Sequence, residues 1–271
     1  MSNANQPDPK TPGASTVTTT TTPTATDTNR AVYDAIWPKL SDFIRFNPGA
    51  RHRRRHIFSL LDRVRFDSLL DVGCGNAELL RVIDARYPGC KLTGVDLSDT
   101  VVQQNTRQFP HMHFAVANVE ADELPVPEGG VDVIVCGEVL EHLDRPDLAL
   151  ARIARALAPG RHAIVTTPTG PVHTTERYFG HVRHPRPREL ALQADAAGFD
   201  VVELRVWGWP TYAFTKWATN LDPDRALARF AGDKPYGLIE KGISHSVWLA
   251  NFVNFDRSPL GVQLFALLKK R

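Results

Sequence analysis

The stretch Leu69 to Leu80, LLDVGCGNAELL, limits what this chain can fold into more than any other. Leu69, Leu70 and Val72 read as a buried strand. Ala77 to Ala85 then repeats its apolar positions at helical spacing, so Gly73 and Gly75 stand at a strand-to-helix turn. Glycines there let the backbone bend sharply and let a ligand lie against it, while the helix start offers unpaired N–H groups. The spacing also narrows the ligand. A dinucleotide fingerprint fails at Glu78, where a third glycine would be needed, and no glycine-rich loop ends in Lys followed by Ser or Thr. Instead Asp71 precedes the first glycine, and Asp96 ends the next apolar run, KLTGVDLS, where an acid can accept two hydrogen bonds from ribose hydroxyls.

From residue 68 to 167 strand patterns alternate with helical ones: LLDVG, KLTGVDL, HMHFAVANV, VDVIVCG and RHAIVTT, with helices between. That alternation predicts an α/β fold, a doubly wound and mostly parallel sheet covered on both faces. PRELALQADAAGF and DVVELRVWGW add a helix and a strand, and GVQLFALLKK closes the sheet. Residues 1–29 repeat Thr, Pro and Ala, are almost devoid of large apolar side chains, and read as a disordered tail. The domain expected over 30–271 divides into an N-terminal helical lid at 30–65, a cofactor-binding core at 66–207, a helical aromatic insert at 208–259 and the final strand at 260–271. Within the lid, NPGA reads as a turn. The following run Arg51, His52, Arg53, Arg54, Arg55, His56 reads as the solvated start of a helix whose apolar face is Ile57, Leu60, Leu61 and Val64. The alternative is that one or two of these arginines grip a carboxylate or phosphate of a substrate.

An apolar content of 42% supports one sizeable core. No run of about 18 apolar residues exists for a membrane span, and no signal-type apolar segment follows the start, so a cytoplasmic location is expected. Cys74, Cys90 and Cys136 lack metal-type spacing and read as free thiols. A formal net charge of +2 predicts no obligate nucleic-acid partner. A small-molecule acceptor and a monomer or homodimer are expected.

With an acid before the first glycine and a second acid one strand over, the chain resembles the class I S-adenosylmethionine-dependent methyltransferases, whose first motif is usually D-x-G-x-G-x-G. Ala77 stands where the third glycine is common. The resemblance covers roughly residues 65–207 and 260–270. It implies strand order 3-2-1-4-5-7-6 with the last strand antiparallel, and S-adenosyl-L-methionine as cofactor. Asp71, Gly73, Cys74 and Gly75 would surround its amino-acid portion, Asp96 and Leu97 its ribose, and Asn118 and Val119 its adenine, with Glu138 at the cofactor side of the fourth strand.

That strand runs into CGEVLEHL, which looks like the E-V-L-E-H stretch of many small-molecule methyltransferases. On a helix Glu138 would share a face with Glu141 and His142, at offsets of three and four. His142 is the best candidate for a general base, because an ordinary imidazole titrates near pH 6.5; Glu138 and His181 complete the catalytic candidates. The same stretch resembles the metal site of small-RNA 2′-O-methyltransferases, with His181 a further ligand, but relatives that use no metal carry it too and no metal is assigned. His173, His181, His184, Tyr178 and Phe179 lie on the loop after the fifth strand, which should overhang the cleft. The insert carries Trp209, Tyr212, Phe214, Trp217, Tyr236 and Trp248, with helices expected at PDRALARFAG and in KGISHSVWLANFV. The resulting expectation is methyl transfer to a hydroxyl or carboxylate oxygen of a small molecule. The alternatives are a metal-dependent RNA 2′-O-methyltransferase, an enzyme that cyclises or cleaves the same cofactor, and a non-catalytic cofactor-binding module.

Overall fold

The computed structural model describes residues 45–230 and 236–271, so the expected tail at 1–29 and the helical reading of 30–44 lie outside the described residues. Strands β1 (Ser68–Val72), β2 (Lys91–Asp96), β3 (His113–Val116), β4 (Val131–Gly137), β5 (Leu157–Pro168), β6 (Phe199–Trp207) and β7 (Gln263–Lys270) form one sheet. Their order is β3-β2-β1-β4-β5-β7-β6. The first five strands pair in parallel, and β7 runs antiparallel to both β5 and β6. Both the order and the reversed last strand are as the resemblance implied.

The central strands are apolar along their whole length because each face of the sheet carries its own core. Leu70 and Val72 of β1 and Ile134 of β4 join the cluster beneath helices α4 (Pro146–Ala156) and α6 (Pro187–Ala196), through Leu150, Ile153, Leu190 and Ala194. Leu69, Val133 and Val135 face the opposite cluster, which receives Ile57, Leu60 and Leu61 of α1 (Pro48–Leu61) and Leu80 and Ile83 of α2 (Glu78–Arg86). Alternation within a continuous apolar run is the signature of a strand buried on both sides. Helix α3 (Asp99–Gln108) starts at Ser98, whose hydroxyl accepts from Val101 N at 3.2 Å, a side-chain N-cap.

Two readings of the first segment are corrected. NPGA begins a helix rather than a separate turn: Asn47 Oδ1 accepts from Ala50 N at 2.9 Å and Pro48 takes the first helical position. Nor is the Arg/His run a solvated helix start. His52 and His56 are 0% and 2% exposed and pack against Trp207, with ring centroids 5.0 and 5.3 Å away. Arg51 and Arg55 stack over Trp248 and Phe252. Arg53 and Arg54 turn into the cleft described below.

Burial, then the neighbouring Arg55 charge, pushes His56 down to about 3. Its folded-state value lies below the ordinary one, so its contribution is intact above about pH 6.5 and is lost as pH falls toward 3. Replacing His56 with Gln is expected to flatten the decline of the urea midpoint between about pH 6.5 and pH 4, at slopes up to about 1.4 kcal/mol per pH unit. A decline that the variant leaves intact would place the acid sensitivity elsewhere.

Over the carboxyl ends of β1, β4 and β5 lies a helical cap of α5 (Thr174–Tyr178), α7 (Thr211–Thr219), α8 (Pro223–Phe230) and α9 (Leu238–Ala250). Helix α7 was not legible in the sequence, because TYAFTKWAT is rich in aromatic and β-branched residues that favour strands. Tertiary capping holds it: Asn254 Oδ1 accepts from both Thr211 N and Tyr212 N, at 2.8 and 3.1 Å. No helix among the described residues is long and apolar enough to cross a membrane.

Candidate active site

The turn after β1 is held by β2. Gly73 N and Cys74 N both donate to Val95 O, at 2.8 and 3.0 Å. Gly75 N donates to Asp96 Oδ2 at 2.9 Å, and Ser98 N donates to Asp96 Oδ1 at 3.0 Å. Asn105 of α3 supports the same turn by donating to Gly75 O at 2.7 Å, a contact no local pattern announces. Gly73 sits at φ +73°, and a Cβ there would come within 2.4 Å of Val139 Cγ2. Ala77, at the position where the resembled motif often has glycine, is itself left-handed at φ 56°. Gly73→Ala is expected to destabilise the chain by about 1–3 kcal/mol and to weaken cofactor binding, read by thermal melting and calorimetry. A variant as stable as the parent would show that Val139 yields without strain.

Asp71 and Asp96 lie side by side at the ends of β1 and β2, 4% and 7% exposed. Burial, then the charge of Asp96, pushes Asp71 up to about 8. Two buried carboxylates held together fit a cationic ligand, which relieves their mutual repulsion. A sulfonium bearing an α-ammonium group has that charge.

A cleft of about 840 Å³ opens beside them. Asp71, Gly73, Cys74, Glu138, His142 and His181 all line it, together with Arg53, Arg54, Thr166, Glu176, Tyr212, Lys216 and Gln263. Of the other expected cofactor contacts, Gly75, Asp96, Leu97, Asn118 and Val119 are not among its lining residues. Gly75 and Asp96 are turned onto one another by their hydrogen bond. Asn118 uses its Oδ1 to accept from Glu120 N at 2.9 Å.

The expected helical face of Glu138, Glu141 and His142 is corrected. Glu138 is left-handed at φ 60°, and the helix beyond it is a short 3-10 turn, Leu140–His142. This bend gives the two glutamates different partners. Glu138 Oε1 accepts from Thr166 Oγ1 at 2.9 Å and Gln263 Nε2 at 2.7 Å, and its Oε2 lies 3.5 Å from Arg53 Nε. Glu141 is fully buried and accepts from Thr167 Oγ1 at 3.0 Å. Burial, then the Glu138 charge, holds it well above the usual carboxylate range.

His142 and His181 meet edge to face with centroids 4.6 Å apart, and His181 Nδ1 lies 2.9 Å from His184 Nε2. Burial pushes His142 down to about 4 and His181 lower still. The ordinary imidazole value expected from the sequence is therefore corrected: both rings are neutral at pH 7. Glu141, His142 and His181 each bring one donor atom within 4.8 Å of the others, and Glu176, His181 and His184 do the same. Glu138 belongs to neither group. Of the loop residues, Phe179 lines the cleft, whereas Tyr178 is 47% exposed outside it. His173 begins α5, donating its backbone N–H to Glu176 Oε2 at 2.8 Å. Glu176 also pairs with Lys216 at 2.6 Å, so α5 and α7 of the cap are tied together by charge.

Sequence reasoning passed over Thr166, Gln263, Glu176 and Lys216. The available signal was polarity out of place: Thr166 near the end of apolar β5, and Gln263 opening an apolar β7.

A parallel sheet with a glycine turn, a buried acid pair and a cleft at the strand ends defines a nucleoside-cofactor enzyme of the doubly wound class. The family model described as a methyltransferase domain matches residues 47–204, and the chain belongs to this family of class I S-adenosylmethionine-dependent methyltransferases. It is 30% identical over 151 residues to trans-aconitate 2-methyltransferase of Methylobacterium nodulans, covering 55% of this chain and 57% of that protein. It is 28% identical over 158 residues to ubiquinone biosynthesis O-methyltransferase of Idiomarina loihiensis, covering 50% and 63%. The chain thus spans between 57% and 61% of the length of the first curated relatives it matches. Among solved structures the cyclase SpnF aligns with a TM-score of 0.62 at 22% identity, covering 92% of this chain and 96% of that one.

Proposed function

We propose that the chain transfers the sulfonium methyl group of S-adenosylmethionine to an oxygen of a small-molecule acceptor. One observation carries the reading: a single cleft joins the buried acid at Asp71 to a wall bearing Arg53, Arg54 and Lys216. The acid end suits the cationic donor, and Arg53 and Lys216, each paired with a carboxylate of the same wall, Glu138 and Glu176, present N–H donors to an acceptor oxygen rather than net positive charge. The two curated relatives named above accord with this, one being an O-methyltransferase by name.

The bound cofactor supplies an already activated methyl group, which leaves the protein to orient, exclude water and manage one proton. Asp71 would hold the ammonium of the donor, the Gly73–Gly75 turn would border its amino-acid portion, and Asp96 would meet the ribose hydroxyls. The family resemblance assigns Asn118 and Val119 to the adenine. Glu138, fixed by Thr166 and Gln263, orients Arg53 toward the acceptor oxygen. His142 takes the hydroxyl proton; its ring is anchored by a hydrogen bond to the backbone of Gly180, and His181 holds its face. A base this weak suits an acidic hydroxyl better than an aliphatic one.

The test is turnover of methyl-labelled S-adenosylmethionine against fractionated metabolite extracts, with and without a chelator. Label in an O-methyl product, an alkali-stable ether from a hydroxyl or an alkali-labile ester from a carboxylate, together with demethylated cofactor, is the expected result. The spacing of Glu141, His142 and His181 gives a divalent-ion reading its one support. A rate abolished by chelator and restored by added metal would favour that reading, and release of methylthioadenosine would favour cofactor cleavage.

A further inference from the structure

We propose that the groove between α7 and α9 holds a hydrocarbon chain of the acceptor, so that the substrate is an amphiphile with its oxygen head in the cofactor cleft. The assignment rests on the methyl-transfer reading for what the head does, but not for the groove itself. The groove measures about 650 Å³ and is walled by Trp209, Pro210, Phe214, Trp217, Val247 and Ala250. No charged side chain lines it among the described residues. Thr215, Val247 and Asn251 belong to its wall and to the wall of the cofactor cleft at once, so the two spaces adjoin.

Two further observations point to a ligand rather than to idle surface. Phe214 and Trp217 are 62% and 51% exposed, and Leu249, Phe252, Val253 and Phe255, at the end of α9 and just after it, are each about half exposed as well. Several large apolar side chains left exposed on adjoining elements are the mark of a binding site. At the junction, Asn251 is 1% exposed, and its Nδ2 has no hydrogen-bond partner among the described residues. A buried amide left unpaired is unfavourable, and an oxygen at the base of the head group, lying where the bound amphiphile crosses from cleft to groove, would pair it. A second copy of this chain pressed on the outer face would supply no such atom between the two spaces. Each methylene buried in the groove strengthens binding about fourfold, so chain length sets the affinity.

The experiment uses the full chain and brominated fatty acids, because bromine quenches tryptophan on contact and Trp209 and Trp217 line the groove. Dibromostearate below its micellar concentration is expected to quench saturably, at least about tenfold more tightly than dibromoundecanoate. Ala213→Phe, which fills the groove, and Phe214→Glu, which charges it, are each expected to weaken quenching about tenfold or more while leaving S-adenosylhomocysteine affinity unchanged. The same titration with brominated phosphatidylcholine vesicles separates the sources. Quenching by the free acid alone assigns a soluble amphiphile, and quenching by vesicles as well assigns a membrane-borne one. The proposal is overturned by non-saturable quenching, by quenching indifferent to both variants, or by a dimer in sedimentation that Ala213→Phe dissolves. If quenching behaves as expected and S-adenosylhomocysteine gives no heat in calorimetry, the methyl-transfer reading fails while the groove assignment stands.

Discussion

Asp71→Asn is expected to weaken S-adenosylhomocysteine binding by about 30-fold or more while making the ligand-free protein more stable. The two effects share one cause. Asp71 is buried beside Asp96 and pushed up from an ordinary value of 3.8 to about 8, so its ionised form is disfavoured in the folded chain until a cation arrives. The sign follows from the raised folded-state value. Below about pH 4 the carboxyl is neutral folded and unfolded, and Asp71 has no penalty. Between about pH 4 and pH 8 the unfolded chain releases the proton and the folded chain keeps it, so stability falls as pH rises, by up to about 1.4 kcal/mol per unit. The stabilisation by Asn is therefore largest at about pH 8 and above, and vanishes toward pH 4, as urea midpoints would report. Ligand affinity runs the opposite way: in the parent chain it rises from about pH 6 to pH 8 as Asp71 gives up its proton to meet the ammonium, and in the variant it is weak and flat. An Asn variant that binds as well as the parent would remove Asp71 from the site.

His142→Asn is expected to lower kcat by about a hundredfold to a thousandfold with S-adenosylhomocysteine affinity unchanged. The pH profile separates a base from a structural residue. His142 is held near 4, so kcat/KM for the acceptor, measured with S-adenosylmethionine saturating at every pH, should stay level from pH 8 down to about pH 5 and fall only as the ring takes up a proton near 4. A break near pH 6.5 would mean that an exposed imidazole, not this one, accepts the proton. An unchanged kcat would mean that the acceptor oxygen carries no proton to remove.

The sheet was legible because each central strand is a short apolar run closed by a turn signal, and because the glycine turn and the acids at 71 and 96 fix where those strands end. What the chain pattern could not show was bending. Treating Glu138, Glu141 and His142 as one helical face assumed an ordinary backbone. The left-handed conformation at Glu138 instead directs that carboxylate to Thr166, Gln263 and Arg53, and leaves Glu141 buried beside Thr167. Burial was equally invisible. A run of Arg and His reads as polar, yet His52 and His56 face Trp207, which arrives from β6 far along the chain. Helix α7 escaped notice because its cap, Asn254, lies more than a helix away in sequence.

The most direct test of the central claim is a structure of the chain soaked with S-adenosylhomocysteine. Its ammonium is expected against Asp71, its ribose hydroxyls at Asp96, and its sulfur toward Glu138 and His142. Adenosine seated instead among α7, α8 and α9, with Asp71 and Asp96 making no contact to the ligand, would contradict it.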